Sequence, residues 1–260
     1  MMNWLYSLPD VAILALSIVS AASVMSVLPL IVRHFANFSA NEQTTDFALR
    51  LQGTLFTMTS LLLAFTLVQA QANFRIADGL VATEASQITR LDRLLTQYGN
   101  KAAATLRTEL RAYASSIVED EWPRMLHGQD SEKTRNALAP LSEGVFSLEP
   151  SPGRQATIYA EILRTFDSVA ESRDSRLNTV SLSLPSTYWY VVLFAAFMLI
   201  LVTSTIERTP FRIAIVTAQM AVIGAFLGFA FIMDQPFRGQ YATDSRPIAH
   251  AIALIDSHGR

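Results

Sequence analysis

The sequence predicts an all-α, polytopic membrane protein: four transmembrane helices in two hairpins, with a helical water-exposed insert between spans two and three. Three observations predict it. Four segments, at about 11–32, 53–74, 187–206 and 213–233, are apolar and almost free of charge, and each is close to the ~20 residues that cross a ~30 Å hydrocarbon core. Only 16% of the 260 residues are charged, against 51% in the hydrophobic set, where a soluble domain carries about 25% charged residues. The charge present is concentrated at 75–185, a stretch rich in Arg, Glu and Asp. The expected organisation is therefore residues 1–74 with spans one and two, 75–185 as the insert, 186–234 with spans three and four, and 235–260 as a C-terminal tail. A net charge of −2 gives no drive onto nucleic acid. The chain has no cysteine, which excludes a disulfide frame, a thiol nucleophile and a zinc-thiolate site.

Span one, Val11 to Val32, is an uncharged run. It is too long for a signal-peptide core, lacks basic residues before it, and has no clean small-x-small cleavage site. Span two, Gly53 to Phe74, is more polar, with Thr54, Thr57, Thr59, Ser60, Thr66, Gln69 and Gln71. Polar side chains in a span face other helices or a wet cavity, or bond back to their own helix backbone. Span three, Thr187 to Ile206, opens on Tyr188, Trp189 and Tyr190, residues that favour the headgroup boundary, and Pro185 suits a helix start. Glu207 to Pro210 form a tight turn into span four, Ile213 to Met233. There Gly224 and Gly228 share one helix face and permit close backbone approach.

Four spans place both termini and the insert on one side, and the 34–52 loop and 207–212 turn on the other. Arg75, Arg90, Arg93, Arg173, Arg176, Arg238 and Arg246 lie on the first side, and Arg33, Arg50, Arg208 and Arg212 on the second. The balance favours a cytoplasmic insert and cytoplasmic termini in the inner (plasma) membrane, although Arg33 directly after span one pulls the other way.

In the insert, Leu80, Ile88, Leu91, Leu95 and Tyr98 recur at helical steps, with Gly99-Asn100 as the stop, so span two is expected to continue out of the membrane. A second helix over 102–121 carries Leu106, Leu110, Tyr113 and Ile117 on one face and is expected to end at Trp122-Pro123. A third covers about 131–148. A long one covers 154–182, with Ile158, Ile162, Phe166, Val169 and Leu177 on one stripe, after a Ser-Pro-Gly turn at 151–153. Stripes of this width face one another within a bundle, or the same helices of neighbouring subunits.

No catalytic motif is present. His34, His127, His250 and His258 are isolated, and there is no zinc motif, phosphate loop or nucleophile elbow. No cofactor is expected. Glu119, Asp120 and Glu121 read as a solvated helix end, and Asn37-Phe38-Ser39 matches a glycosylation triplet. Two charged features stand out. Asp234, closing span four, reads either as a helix stop, paired to Arg238 or capping a turn, or as a structural lock or permeation-path charge at the pore entrance. Glu84, about ten residues past span two, is placed to pair with Arg176 or Arg173.

The stretch 61–95, with Leu63-Ala64-Phe65-Thr66-Leu67, Glu84-Ala85 and Leu91-Asp92-Arg93-Leu94-Leu95, resembles the bestrophin-like family of bacterial membrane proteins. So does Asp234-Gln235-Pro236-Phe237-Arg238-Gly239, which is similar to that family's Asp-Arg-Pro-Phe-x-Gly, with Gln235 in place of the usual Arg. The resemblance implies kinship with bestrophins, pentameric anion channels with paired spans around a cytosolic helical region. It implies a homo-oligomer in the lipid bilayer that conducts inorganic ions, chloride favoured. It also implies that span two lines the pore, with Phe56, Leu63 and Phe65 as candidates. Glu84, Asp234, Pro236, Phe237, Arg238 and Gly239 are the motif and structural candidates. A non-conducting scaffold or sensor, its insert binding a cytosolic partner, is the alternative. A transporter or membrane enzyme ranks last, because charged spans and broken paired helices are not evident.

Overall fold

A computed structural model describes residues 8–36, 42–125, 128–180, 183–237 and 242–258. Regular structure among them is entirely helical: α1 (Asp10–Ala36), α2 (Glu42–Tyr98), α3 (Lys101–Ser116), α4 (Trp122–Met125), α5 (Glu132–Phe146), α6 (Arg154–Thr179), α7 (Ser186–Ser204), α8 (Pro210–Met233) and α9 (Arg246–His258). The chain divides into two compact units. One holds α1, the first part of α2, α7 and α8; the other holds the rest of α2, α3 to α6 and α9. Among the described residues four helices are long and apolar enough to cross a membrane: α1, α2, α7 and α8.

In the membrane unit α1 packs most extensively on α8, and it also packs on α7. The Gly224/Gly228 face is the cause. A Cβ on Gly224 would lie 2.6 Å from the Ser17 carbonyl and 2.7 Å from the Ala21 Cβ; one on Gly228 would lie 2.9 Å from Ser17 Cβ. Small residues on both helices let the backbones approach, and dispersion between them holds the pair. A second carbon cluster gathers Met25, Leu63, Val192, Leu199, Ile200, Val216, Met220 and Ile223.

Helix α2 begins at Glu42, so the expected 34–52 loop is mostly helix. Ala48, Leu49, Arg50, Leu51 and Gln52 are all good helix formers, and Thr45, Ala48 and Gln52 are buried. The Glu207 N–H donates to Thr45 Oγ1 at 3.2 Å, and Gln52 donates to Gln219 at 3.0 Å. The threonines of span two take the local option. Thr54, Thr57, Thr59 and Thr66 each donate to the carbonyl four residues back, at 2.7 to 3.1 Å.

Helix α2 runs 57 residues without a break, as expected, until Gly99 adopts φ +74°, a conformation that costs other residues a Cβ clash. Asn100 then caps α3, accepting from the Ala103 N–H at 2.7 Å. The expected stop at Trp122-Pro123 does not occur. A π-helical turn at Ile117–Glu121 follows α3, the Trp122 N–H reaches the Ile117 carbonyl, and Pro123 sits in the first turn of α4. A proline needs no N–H partner in a first turn. Ser131 caps α5 by accepting from the Thr134 N–H at 3.1 Å. The core of this unit collects the expected stripes: Ile88, Leu91 and Leu95 meet Leu106, Leu110, Tyr113, Ile162, Phe166 and Val169.

The expected tail contains a helix, α9, which buries Ile248, Ala251 and Ile255 and packs on α3. Those three residues, at helical steps, are the signal for it in the sequence. Buried Asp92 anchors the far end of α9, accepting from Arg107 at 2.7 Å and lying 3.0 Å from His258 Nδ1. Arg107 also donates to the Ile255 carbonyl at 3.3 Å, and Arg111 pairs with Asp256.

Candidate functional site

Three apolar stripes of the insert each carry a charge. On α2 the buried series Ala77, Val81 is followed by Glu84 before Ile88. On α3 and the π turn, Tyr113 and Ile117 lead to Glu121. On α6, Ile162, Phe166 and Val169 lead to Arg173 and Arg176. These four charges meet inside the insert core. Arg176 donates from Nε to Glu84 Oε2 at 2.5 Å, and from Nη2 to Glu84 Oε1 at 3.1 Å and to Glu121 Oε2 at 2.7 Å. Its Nη1 lies 2.7 Å from Met125 Sδ. Arg173 pairs with the other oxygen of Glu121. The Tyr113 hydroxyl donates to Glu84 at 3.4 Å. The side chains of Glu84, Glu121 and Arg176 have no exposure at all.

Two carboxylates and two guanidiniums give a neutral cluster. Burying an ion is costly unless partners and hydrogen bonds offset the lost water, and here Arg176 reaches three groups through its planar fork. Burial works against the Arg176 charge, yet Glu84 and then Glu121 hold the guanidinium above its ordinary range. Burial also pushes the Tyr113 phenol well above its usual value, with the Glu84 charge adding to the rise. Tyr113 therefore stays a neutral donor. Of the two arginines considered for Glu84, Arg176 bonds it and Arg173 goes to Glu121.

Glu121 corrects the reading of 119–121 as a solvated end. It lies four residues beyond Ile117, on the buried face, and only its charge disguises that phase. Asp120 differs: it accepts from Ser131 and pairs with Arg124 at 3.1 Å. Among the described residues no group of three or more His, Asp and Glu could hold a metal.

The cluster extends through an aromatic. The Trp122 ring faces Arg176, with Cζ 5.6 Å from its centroid, a cation–π distance. Trp122 meets Phe237 edge-on at 5.9 Å. Phe237 is 3% exposed and belongs to the insert core. The Pro236 carbonyl accepts from the Thr243 N–H at 2.7 Å. In the membrane unit, Asp234 accepts from the Leu184 N–H at 2.6 Å, so it satisfies backbone just ahead of α7. Burial raises its carboxyl above the ordinary aspartate range, and that hydrogen bond opposes the rise. Arg238, Gly239, His127 and Asn37-Phe38-Ser39 lie outside the described residues.

The span-two candidates point in different directions. Leu63 is 1% exposed and sits in the carbon cluster of its own subunit. Phe56 packs partly against that cluster. Phe65 is 64% exposed. Residues two apart on a helix project from nearly opposite faces, so no single lumen face holds both Leu63 and Phe65.

A family model described as the Bestrophin-like domain matches residues 14–248. The chain belongs to the Bestrophin-like family. Solved structures agree in fold. A crystal structure of a bacterial bestrophin homologue from Klebsiella pneumoniae has a TM-score of 0.66 at 14% identity, covering 96% of this chain and 98% of that one. A mutant of the homologue from the same organism has a TM-score of 0.67 at 14% identity over 96% and 99%. A crystal structure of a membrane protein carrying a proline-to-alanine change has a TM-score of 0.68 at 13% identity over 96% and 99%. No curated protein matches the chain. In this bestrophin-like, multi-pass membrane protein the two stretches that carried the resemblance are joined physically: Glu84 of the first binds Arg176, Arg176 faces Trp122, and Trp122 packs on Phe237 of the second.

Proposed function

We propose that this bestrophin-like protein is a homo-oligomeric ion channel in the inner membrane, with α2 lining the pore and chloride the favoured ion. The observation that carries the proposal is one face of α2. Leu51, Met58, Leu61, Phe65 and Val68 are exposed and recur at steps of three, four and seven, while the opposite face is packed within the subunit. Copies arranged about an axis with these stripes inward would form a constriction of carbon, which gates by dewetting and binds ions weakly enough to release them. The threonines offer no competing hydrophilic lining, since their hydroxyls are bonded to their own helix. A pentamer and anion selectivity come from family kinship, which is a warrant of analogy. The reading puts the insert and both termini in the cytoplasm, supported by the excess of arginines near the span ends on that side. The scaffold reading needs unused apolar stripes, and the insert's stripes are consumed in its own core.

The test is oligomeric mass together with single-channel recording from the same preparation. Stepwise chloride-dependent currents are expected, with Phe65→Ala changing conductance and Leu63→Ala leaving the open-channel value unchanged. A stable oligomer that carries no current across salts, voltages and pH overturns the channel. A change with Leu63→Ala alone moves the lumen to the other face of α2.

A further inference from the structure

The exposed face of α2 does not end with the span. Its two series, Leu51-Met58-Phe65 and Leu61-Val68, continue at steps of seven along the same unbroken helix. The first runs on through Ala72, Gly79 and Ser86 to Arg93, and the second through Arg75 to Ala82; every one of these is exposed. Steps of seven keep a seam facing a common axis when helices of several copies pack around it. Between Leu51 and Arg93 the two series hold two charges, Arg75 and Arg93, and both are positive. Among the described residues neither forms an ion pair. Asp78, the nearest acidic residue along the helix, belongs to neither series.

Resting on the reading that copies of α2 line a pore, we propose that Arg75 is the residue that selects anions. One guanidinium from each copy then forms a positive ring where the carbon neck opens toward the insert. Arg75 stands seven residues, about 10 Å, beyond Val68, and is the first charge either series meets. Carbon alone has no preference for the sign of an ion, whereas a ring of like charge concentrates the counter-ion and repels the other. The side chains of Ala72, Gly79, Ala82 and Ser86 are small, so the lumen widens past the neck and the ring meets ions without blocking them. A headgroup anchor at the membrane surface would account for Arg75. It would not account for Arg93, about 27 Å further along the helix and about three Debye lengths away at physiological salt. A path for anions accounts for both.

The experiment records the full chain in a planar bilayer under a potassium chloride gradient and reads the reversal potential. The chloride-to-potassium permeability ratio should fall about tenfold in Arg75→Gln, the lower end of focusing by a charged cleft, and hold its parent value in Arg75→Lys. Arg93→Gln, in the wider lumen, should lower it less. At about 1 M salt, where the screening length shrinks to about 3 Å, the gap between the parent and Arg75→Gln should narrow. Because the chain has no cysteine, Arg75→Cys can be modified while current flows. A cationic methanethiosulfonate should raise the ratio and an anionic one lower it; a ratio that neither reagent moves overturns the proposal. An unchanged ratio in Arg75→Gln, or a parent that prefers potassium, also overturns it and leaves the channel standing. A parent protein that carries no current overturns the channel, and the ring with it.

Discussion

The two halves of α2 bury their packed faces by opposite means. In the membrane half that face is Thr45, Ala48, Gln52, Thr59, Leu63, Thr66 and Ala70; in the insert half it is Ala77, Val81, Glu84, Ile88, Leu91, Asp92 and Leu95. The first carries no ionisable group: Thr59 and Thr66 bond their own helix, and Thr45 and Gln52 take neutral partners, the Glu207 N–H and Gln219. The second carries two fully buried carboxylates, each held by an arginine from another helix. Hydrocarbon gives no help to a charge on its way to a partner, so cohesion there comes from close contact. In the insert, folding can bring oppositely charged stripes together, and removing one member then strands the others.

The largest effect should fall on the ionic half. Arg176→Ala leaves Glu84 and Glu121 buried without their shared partner and should cost about 3–5 kcal/mol; thermal unfolding of the purified protein checks it. A small loss would mean that water enters the cluster freely. Next comes the contact-driven half. Gly224→Ala forces a Cβ against the Ser17 carbonyl and should destabilise by about 1–3 kcal/mol. Gly53→Ala, with nothing within 4 Å, should be neutral or stabilise by up to about 1 kcal/mol. Equal behaviour of the two in denaturation assays would remove close packing as the explanation. The smallest effect belongs to Asp234. Its folded carboxyl is raised above the ordinary aspartate value, so the native state binds more protons than the unfolded one and stability declines as pH rises from the unfolded to the folded value. Asp234→Asn should remove that contribution, read as the difference between the two proteins in melting temperature against pH.

How legible was the cluster? Glu84 and its arginine partner were within reach, because both fall on helical stripes at the ends of long amphipathic segments. Glu121 was not, because an acidic triplet before Trp-Pro looks like a solvated stop, and only the π turn shows the helix continuing. Phe237 was visible as part of a motif without a reason; its packing on Trp122 supplies one. Leu63 and Phe65 were grouped because the family resemblance assigns the pore to span two without picking a face of it, and a helix puts the two on opposite faces.

The sequence by itself determined the four spans, the continuity of α2, the helical insert and the family resemblance. These depend on hydropathy, local period and short motifs, all of which act over a few turns of chain. Only the tertiary structure decided that α8 packs on α1, that α9 closes on α3, and that Arg176 bridges Glu84 and Glu121. Those pairings join residues far apart in the chain, and their energies depend on distance and burial, which no local pattern encodes.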